Sequence, residues 1–152
     1  VLDVNFRLGI YTAEIIEQSL TAANVLKIND DELEILRTFY ELPAGEEAAL
    51  RALAERFELH VAVLTRGAAG SLAISGAASS EQPVIATDIV DTVGAGDAFG
   101  AAFVVALEAG QSLDDAHALA AQVAGFVCSQ SGAMSPLPKE VLRQWDRRPP
   151  RA

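Results

Sequence analysis

The sequence predicts an α/β fold of three layers, in which a mostly parallel sheet lies between two layers of helices. Short apolar segments alternate with amphipathic helical segments over the first 65 residues, and this order is typical of parallel strands joined by right-handed crossovers. Hydrophobic residues make up 51% of the 152-residue chain and charged residues 21%, an ordinary balance for one globular domain. The longest apolar stretch, residues 98–107, is too short for a transmembrane helix, which needs about 20 residues.

The elements of the first half follow from two patterns. Short runs of Val, Leu and Ile predict strands at residues 1–6, 25–28 and 60–65. The segments between these runs carry apolar residues at helical spacing, which predicts helices at residues 12–23, 29–40 and 46–57. A glycine-containing turn is expected at residues 66–70.

The second half is predicted to begin with strands at 71–75 and 83–87, joined by a loop of small residues. Three helices then follow, at residues 97–109, 112–130 and 137–145. Gly110 is a C-cap signal for the first of them, and Ser112 with Asp115 is an N-cap signal for the second. Residues 147–152 are expected to fray.

The charge and cysteine content limit the class of partner. The net charge of −10 argues against nucleic acid or an anionic membrane as the main partner, although backbone N–H groups can still bind phosphate. Cys128 is the single cysteine, so no disulfide forms within the chain, which fits the cytoplasm. Since Val1 opens a predicted strand, we expect an N-terminal part of a longer protein to precede it.

Polar side chains follow the three parallel strands at their ends. Asn5 and Arg7 lie at the end of the first strand, Asn29 at the end of the second, and Thr65 and Arg66 at the end of the third. The carboxyl ends of parallel strands share one edge of a sheet, and ligands bind in the crevice there. The sequence therefore predicts a binding site at this edge.

The segment "DTVGAGD" leads into an apolar helix and has two interpretations. Gly94, Ala95 and Gly96 have small side chains, so their N–H groups and the helix N-terminus are suited to an anion such as a phosphate. Asp97 would repel that anion, unless it accepts the proton of a hydroxyl that attacks phosphorus. The alternative is a plain turn with an acid favoured by the helix dipole. The polar strand ends favour the first interpretation.

The segment "NDDE" is open to two interpretations as well. Asn29 and Glu32 have the spacing of a capping box, which starts a helix and has no functional content. Alternatively, Glu32 helps to hold a hydrated Mg²⁺, since magnesium is bound by few protein carboxylates and keeps several waters. Thr65 either only leads from the strand into the following turn or donates a hydrogen bond to a nucleotide phosphate.

Taken together, these motifs resemble those of the ribokinase-like (PfkB-type) sugar kinases. "DTVGAGDAFGAAF" is similar to the C-terminal signature of the family, "LKINDDE" to its Asn-x-x-Glu motif, and "VLTRGAAGSLAI" to its nucleotide-side strand and hairpin. "SGAMSPLP" resembles the segment that closes the adenine side, and "DVNFR" resembles the fructokinase and 2-keto-3-deoxygluconate kinase branches. The resemblance implies transfer of the ATP γ-phosphate to a hydroxyl of a sugar or sugar acid.

The resemblance assigns roles in the glycine-rich segment. It implies that Asp97 is the catalytic base and that the backbone of Gly94, Ala95 and Gly96 forms an anion hole. Asp91 would join backbone carbonyl groups in a site for a monovalent cation, expected to be K⁺.

It also assigns the nucleotide side. Asn29 and Glu32 would organise Mg²⁺ and the phosphates, while Thr65, Gly67 and Gly132 would contact ATP.

The resemblance places the substrate and the domain boundaries. Asn5 and Arg7 would bind the substrate, with Arg7 reaching the phosphates or the far end of the sugar. Residues 1–146 would form the C-terminal, nucleotide-binding part of a ribokinase-like kinase domain, while the family's N-terminal strands and lid are not in this sequence. We expect the full-length protein to be a homodimer.

Other functions remain open on the residues alone. "GAGDAFG" contains G-x-G-x-x-x-G, which suggests a dinucleotide-binding oxidoreductase, but that turn should lead into a βαβ unit and here further helices are predicted. A kinase of the same fold for a nucleoside or a hydroxymethylpyrimidine is a second alternative. "DVNFR" favours a sugar or sugar acid.

Overall fold

The computed structural model describes residues 1–6, 11–85, 88–132 and 135–145. The described chain forms two compact units, one of Val1–Gly67 with Ser71–Ser79, the other of Ala68–Gly70 with the chain from Ser80 onward. The strands are β1 (Leu2–Asp3), β2 (Val25–Asn29), β3 (Val61–Thr65), β4 (Ser71–Ser75) and β5 (Ala78–Gln82). The helices are α1 (Ala13–Thr21), α2 (Asp30–Phe39), α3 (Glu46–Arg56), α4 (Ala95–Glu108), α5 (Leu113–Cys128) and α6 (Lys139–Trp145), with a 3₁₀ turn at Gly67–Ala69.

The five strands form one sheet in sequence order. Strand β2 pairs in parallel with β1 and β3, whereas β3 and β4 are antiparallel. The register sets Asp3 beside Lys27 and Asn29 beside Thr65. The predicted α/β class and mostly parallel sheet are confirmed.

Alternation along the strands builds the core of the first unit. Side chains of successive strand residues point to opposite faces, so every second residue joins the same buried cluster. From the strands these are Leu26, Ile28, Ala62, Leu64, Leu72 and Ile74. From the helices the largest are Ile16, Leu20, Leu33, Leu36, Leu50 and Leu53, which recur at helical spacing.

The second unit is built around α4 and α5, which pack against each other. His117 on α5 is fully buried, and its Nδ1 lies 3.0 Å from Oγ of Ser80 on β5. The rings of Phe99 and Phe103 meet the imidazole edge to face, at centroid distances of 5.8 and 6.1 Å. These contacts give the histidine a structural role in the core of this unit. In the described part of the chain, no helix is long and apolar enough to cross a bilayer.

The prediction of a strand at residues 83–87 was wrong. The strand after β4 is β5, at Ala78–Gln82, while residues 83–85 lie outside the sheet and 86–87 lie outside the described residues. A tight turn at Gly76 and Ala77 starts β5 earlier than the apolar residues suggest, and Gly76 has a φ of +53° there. The guanidinium of Arg51 donates to the carbonyl oxygens of this turn, which fixes the hairpin against α3. Strand β1 is also shorter than predicted, with only two residues in the ladder.

We expect Gly70→Ala to destabilise the full-length protein more than Gly76→Ala. Both glycines have positive φ values, +86° and +53°, which cost a residue with a Cβ about 1–2 kcal/mol. A Cβ on Gly70 would also overlap the carbonyl oxygen of Gln82, while one on Gly76 meets nothing within 4 Å. Overlap adds about 1–3 kcal/mol. Urea unfolding measures the free energy of unfolding that each variant loses. Equal losses would show that a Cβ on Gly70 does not overlap the carbonyl oxygen of Gln82.

Candidate functional site

The carboxyl ends of β2 and β3 bring two of the predicted site residues together. Asn29 and Thr65 are the last residues of their strands and are partners in the parallel register. The hydroxyl of Thr65 donates to the carbonyl oxygen of Ile28 at 3.4 Å. For these two residues, the prediction that polar groups gather at one sheet edge is confirmed.

Asn29 and Glu32 form a complete capping box at the start of α2. The side-chain oxygen of Asn29 accepts from the N–H of Glu32 at 2.8 Å, and Glu32 Oε2 accepts from the N–H of Asn29 at 2.8 Å. The prediction that "NDDE" forms a capping box is therefore confirmed. It does not exclude a second role, because the same bonds hold the Glu32 carboxylate in one orientation.

The environment of Glu32 combines burial with nearby charges. Its side chain is among the few buried polar groups of the described chain. Burial raises the pKa of Glu32, opposed chiefly by the hydrogen bond from the Asn29 N–H and then by the charge of Lys27. The backbone N–H of Phe6 also stabilises the ionised form, so the chain after β1 passes beside this carboxylate. Asn5, the neighbour of Phe6, is exposed, and Arg7 lies outside the described residues.

Gly67 begins the short 3₁₀ turn that follows β3. Its φ is +52°, and a Cβ built there would meet nothing within 4 Å, so the backbone at this point is open to a ligand. Arg66, which the sequence places at the same edge, forms an ion pair with Glu46 at 3.1 Å. The exposed backbone near Thr65 is therefore that of Gly67, whereas the side chain of Arg66 is paired with Glu46 on α3.

In the second unit, Gly94 starts α4 without a side-chain cap. It adopts a left-handed conformation with a φ of +81°, and its carbonyl oxygen accepts from the N–H of Ala98 at 2.9 Å. The N–H of Ala95 donates to the Thr92 carbonyl oxygen at 3.3 Å. By contrast, the N–H groups of Gly96 and Asp97 have no hydrogen-bond partner among the described residues.

Asp97 itself is exposed in the first turn of α4. Its carboxylate has no hydrogen-bond or ion-pair partner within the part of the chain that the structure describes. Asp97 therefore presents a free acceptor close to N–H groups that are also free. Of the three backbone N–H groups predicted to bind an anion, that of Ala95 is already engaged with the carbonyl oxygen of Thr92.

Asp91 is a bridging residue in the same unit. Its two carboxylate oxygens accept from the N–H groups of Val93 at 3.0 Å and of Gly132 at 3.2 Å. The hydrogen bond from Val93, and then that from Gly132, lower the pKa of Asp91. The N–H of Asp91 in turn donates to the carbonyl oxygen of Cys128, at the end of α5. The sequence singled out Asp91 and Gly132 separately, and the structure joins them.

The described residues contain no group of three or more His, Cys, Asp or Glu side chains placed to hold a metal ion. Mg²⁺ is commonly bound by one or two protein carboxylates and keeps several waters. An oriented, buried carboxylate such as Glu32 fits that requirement, with water or phosphate oxygens completing the shell.

Lys27, two residues before Asn29 in β2, forms an ion pair with Asp3 that the sequence analysis missed. Its Nζ lies 3.0 and 2.9 Å from the two carboxylate oxygens of Asp3. The signal was a lysine inside the apolar strand "VLKIN", where a charge is unfavourable unless it is paired.

The raised pKa of Glu32 predicts a pH dependence of stability. The folded state binds this proton more tightly than the unfolded state, so the free energy of unfolding falls as pH rises from the ordinary glutamate value through the raised folded value. Glu32→Gln keeps an acceptor for the capping box but cannot ionise. Its stability relative to wild type should therefore improve between about pH 4 and pH 7.

Urea unfolding at both pH values measures this difference, with Glu34→Gln, an exposed position of the same helix, as the control for a lost charge. If the free energy of unfolding changes with pH in the same way in both variants, burial does not raise the pKa of Glu32.

Comparison with known proteins gives the family. The family model described as pfkB family carbohydrate kinase matches residues 3–140. The chain is 38% identical over 109 residues to a 2-dehydro-3-deoxygalactonokinase of Haloferax volcanii, covering 71% of this chain and 34% of that protein. It is 32% identical over 138 residues to a fructokinase of Salmonella typhimurium, covering 86% and 44%. The chain thus spans about a third to under a half of the length of these relatives.

Solved structures share the fold. The nucleoside kinase of Methanocaldococcus jannaschii, a member of the ribokinase family, superimposes with a TM-score of 0.78 at 26% identity, over 95% of this chain and 47% of that one. Aminoimidazole riboside kinase of Salmonella enterica, solved with aminoimidazole riboside and an ATP analogue, gives a TM-score of 0.74 at 26% identity, over 93% and 50%. Because the family model matches most of its length and its fold is ribokinase-like, this chain belongs to the pfkB family of carbohydrate kinases.

Proposed function

We propose that the full-length protein uses ATP and Mg²⁺ to phosphorylate a hydroxyl group of a sugar or sugar acid, with Asp97 as the general base. The observation that carries this proposal lies at the start of α4. There, the carboxylate of Asp97 and the N–H groups of Gly96 and Asp97 have no partner in the part of the chain that the structure describes. A helix that only needed a favourable charge in its first turn would not require a glycine in a left-handed conformation just before it.

The chemistry of Asp97 follows from its position. The carboxylate accepts the proton of the acceptor hydroxyl as the hydroxyl oxygen attacks the γ-phosphorus of ATP. The bond from the γ-phosphorus to the bridging oxygen of ADP breaks, and ADP leaves with the bonding electrons. Exposure of Asp97 allows a substrate hydroxyl to approach it.

The N-terminus of α4 supplies the electrostatic stabilisation. Negative charge on the transferred phosphoryl oxygens is stabilised by the free N–H groups of Gly96 and Asp97 and by the positive end of the helix dipole. These donors are fixed by the helix, so they need no reorganisation when the charge develops. Gly94 and Ala95 contribute the turn, which brings the backbone close to the ligand.

We assign the nucleotide side to the ends of β2 and β3. The exposed backbone at Gly67 and the hydroxyl of Thr65 are suited to the nucleotide. Gly132, in the second unit, is assigned to the nucleotide from the family resemblance alone. Asn29 and Glu32 would orient a hydrated Mg²⁺, which when bound neutralises phosphate charge. The ATP analogue in the riboside kinase structure supports ATP as the phosphoryl donor.

A monovalent cation is assigned to the segment around Asp91. The Asp91 carboxylate is held in place by two backbone N–H groups and keeps its negative charge, since its pKa is lowered. Carbonyl groups of the adjoining loops would supply the other ligands of K⁺.

The acceptor is proposed to be a sugar or sugar acid, contacted by Asn5 and Arg7. The named activities of the relatives, a fructokinase and a 2-dehydro-3-deoxygalactonokinase, support this class. Nucleosides are the second candidate, because the two structural neighbours act on nucleosides or ribosides. The oxidoreductase alternative has less support, since the next described element after α4 is the helix α5 rather than a strand.

The proposal is tested by phosphoryl transfer from ATP with the full-length protein and a panel of acceptors. The panel contains ketohexoses, 2-keto-3-deoxy sugar acids and nucleosides, and ADP release without an acceptor is the blank. Turnover of a sugar or sugar acid is expected. Turnover of nucleosides alone would favour the second candidate, and no MgATP binding by a folded protein would contradict both.

Asp97→Asn is expected to lower kcat by roughly 10²- to 10⁴-fold, because the amide cannot accept the proton. Its affinity for ATP, measured by calorimetric titration, should remain near that of wild type. Asp114→Asn is the matched control, since Asp114 is an acid in the first turn of α5 and its loss removes the same charge from a helix N-terminus. If the two variants lose activity equally, Asp97 acts only through the helix dipole.

We also expect the rate to rise when Na⁺ is replaced by K⁺ at constant ionic strength. Asp91→Asn should abolish most of that difference, because the amide lacks the negative charge that the cation requires. A rate with the same K⁺ dependence in this variant would remove Asp91 from the cation site.

A further inference from the structure

His117 and Ser80 form a buried polar pair inside the second unit. His117 is 0% exposed and Ser80 is 4% exposed, and the imidazole Nδ1 lies 3.0 Å from the serine Oγ. Ser80 is also the only buried residue of β5. Buried polar groups are unfavourable unless they are hydrogen-bonded, so this bond holds the imidazole in one orientation. The proposed phosphoryl transfer uses neither side chain.

The imidazole lies against two aromatic rings of α4. Phe99 and Phe103 are stacked on each other, with centroids 6.1 Å apart and an interplanar angle of 13°. The imidazole is almost perpendicular to both rings, at 82° and 88°. Edge-to-face contacts between rings are directional. An imidazole whose orientation is set by Ser80 therefore restricts the orientation of both phenyl rings more than an aliphatic side chain would.

The same rings determine which side of α4 faces the solvent. Phe99 and Phe103 are buried, whereas Asp97 is exposed. Asp97 precedes Phe99 by two residues, which is a rotation of roughly 200° about the axis of an α-helix. Burial of Phe99 thus directs the Asp97 carboxylate outward. Any rotation of α4 that repacks the rings also moves this carboxylate and the N–H groups of Gly96 and Asp97, because they belong to the same turn.

We propose that His117, oriented by Ser80, is a positioning residue that sets the rotation of α4 through Phe99, and thereby directs Asp97 toward the acceptor hydroxyl. This inference rests on the proposed function. The competing explanation is that the pair only satisfies two buried polar groups and stabilises the unit. That role would lower stability when the pair is removed, and it would leave the kcat of the folded protein unchanged.

The decisive variant of the full-length protein combines Ser80→Ala with His117→Leu, since removing both partners leaves neither unpaired with the other. Its kcat should fall roughly 10- to 100-fold, because small displacements of catalytic groups have effects of this size. The KM for ATP should change little, since Thr65 and Gly67, which are proposed to contact ATP, belong to the first unit. Rates are compared well below the melting temperature of each variant, so that unfolded protein does not contribute.

Two further variants separate positioning from stability. Val123→Ala is the matched control, because it removes buried apolar groups from α5 more than one turn beyond His117 and lowers stability without touching the polar pair. Its kcat should stay near that of wild type. Phe99→Leu tests the route. If His117 acts through Phe99, the double substitution should lower kcat much less in a Phe99→Leu background than in wild type.

A second readout does not depend on activity. Residual dipolar couplings of backbone N–H groups, measured by NMR, report how the amides of α4 are oriented relative to those of α5. In the Ser80→Ala, His117→Leu variant, the couplings of the α4 amides should change together, while those within α5 keep their mutual relation. In Val123→Ala, the relative orientation of the two helices should match that of wild type.

The proposal is overturned if α4 keeps its wild-type orientation in the double variant, or if Val123→Ala lowers kcat as much as the double substitution does. An equal fall of kcat in wild type and in the Phe99→Leu background would also overturn it, since His117 would then not act through Phe99. A wild-type protein with no kinase activity would refute the proposed function alone. In that case the dipolar couplings still decide whether His117 sets the orientation of α4.

Discussion

Strand β2 runs into helix α2 at Asn29 without an intervening loop, and the geometry of the first unit depends on this junction. Asn29 is the last residue of a strand paired with β3 and also the N-cap of the helix. Its place in the sheet therefore fixes where the helix begins, and the cap fixes the orientation of Glu32 one turn later. The neighbouring strand end at Thr65 is aligned by the same register.

The helices α2 and α4 begin in opposite ways, and their chemistry differs accordingly. At α2, side chains satisfy the first N–H groups, and the glutamate that completes the box is enclosed. At α4, Gly94 provides no side chain, the N–H groups of Gly96 and Asp97 have no partner among the described residues, and the acid is exposed. A helix start that is already capped cannot bind an anion through those groups, whereas an open one can.

Local signals predicted most of the elements and few of the contacts. Period-3.6 and period-2 patterns, together with the caps at Asn29 and Ser112, located the helices and β2, β3 and β4 within a few residues, because these depend on neighbours in sequence. The hairpin failed because the turn at Gly76 sets the register of β5, and apolar residues after it were mistaken for the strand. The candidate residues Asn29 and Thr65 were found because polar residues at strand ends carry positional information.

By itself, the sequence determined the α/β class, the order of strands and helices, and the glycine-rich start of α4, since each rests on composition or on spacing within one segment. Only the tertiary structure decided which distant groups meet. Lys27 reaches Asp3, and Asp91 reaches Gly132, across 24 and 41 residues of sequence respectively. No local pattern encodes such a pair, because its geometry comes from the register of parallel strands in one case and from the packing of loops in the other. The tertiary structure also sets the charges around Glu32, and therefore the chemistry available to this carboxylate.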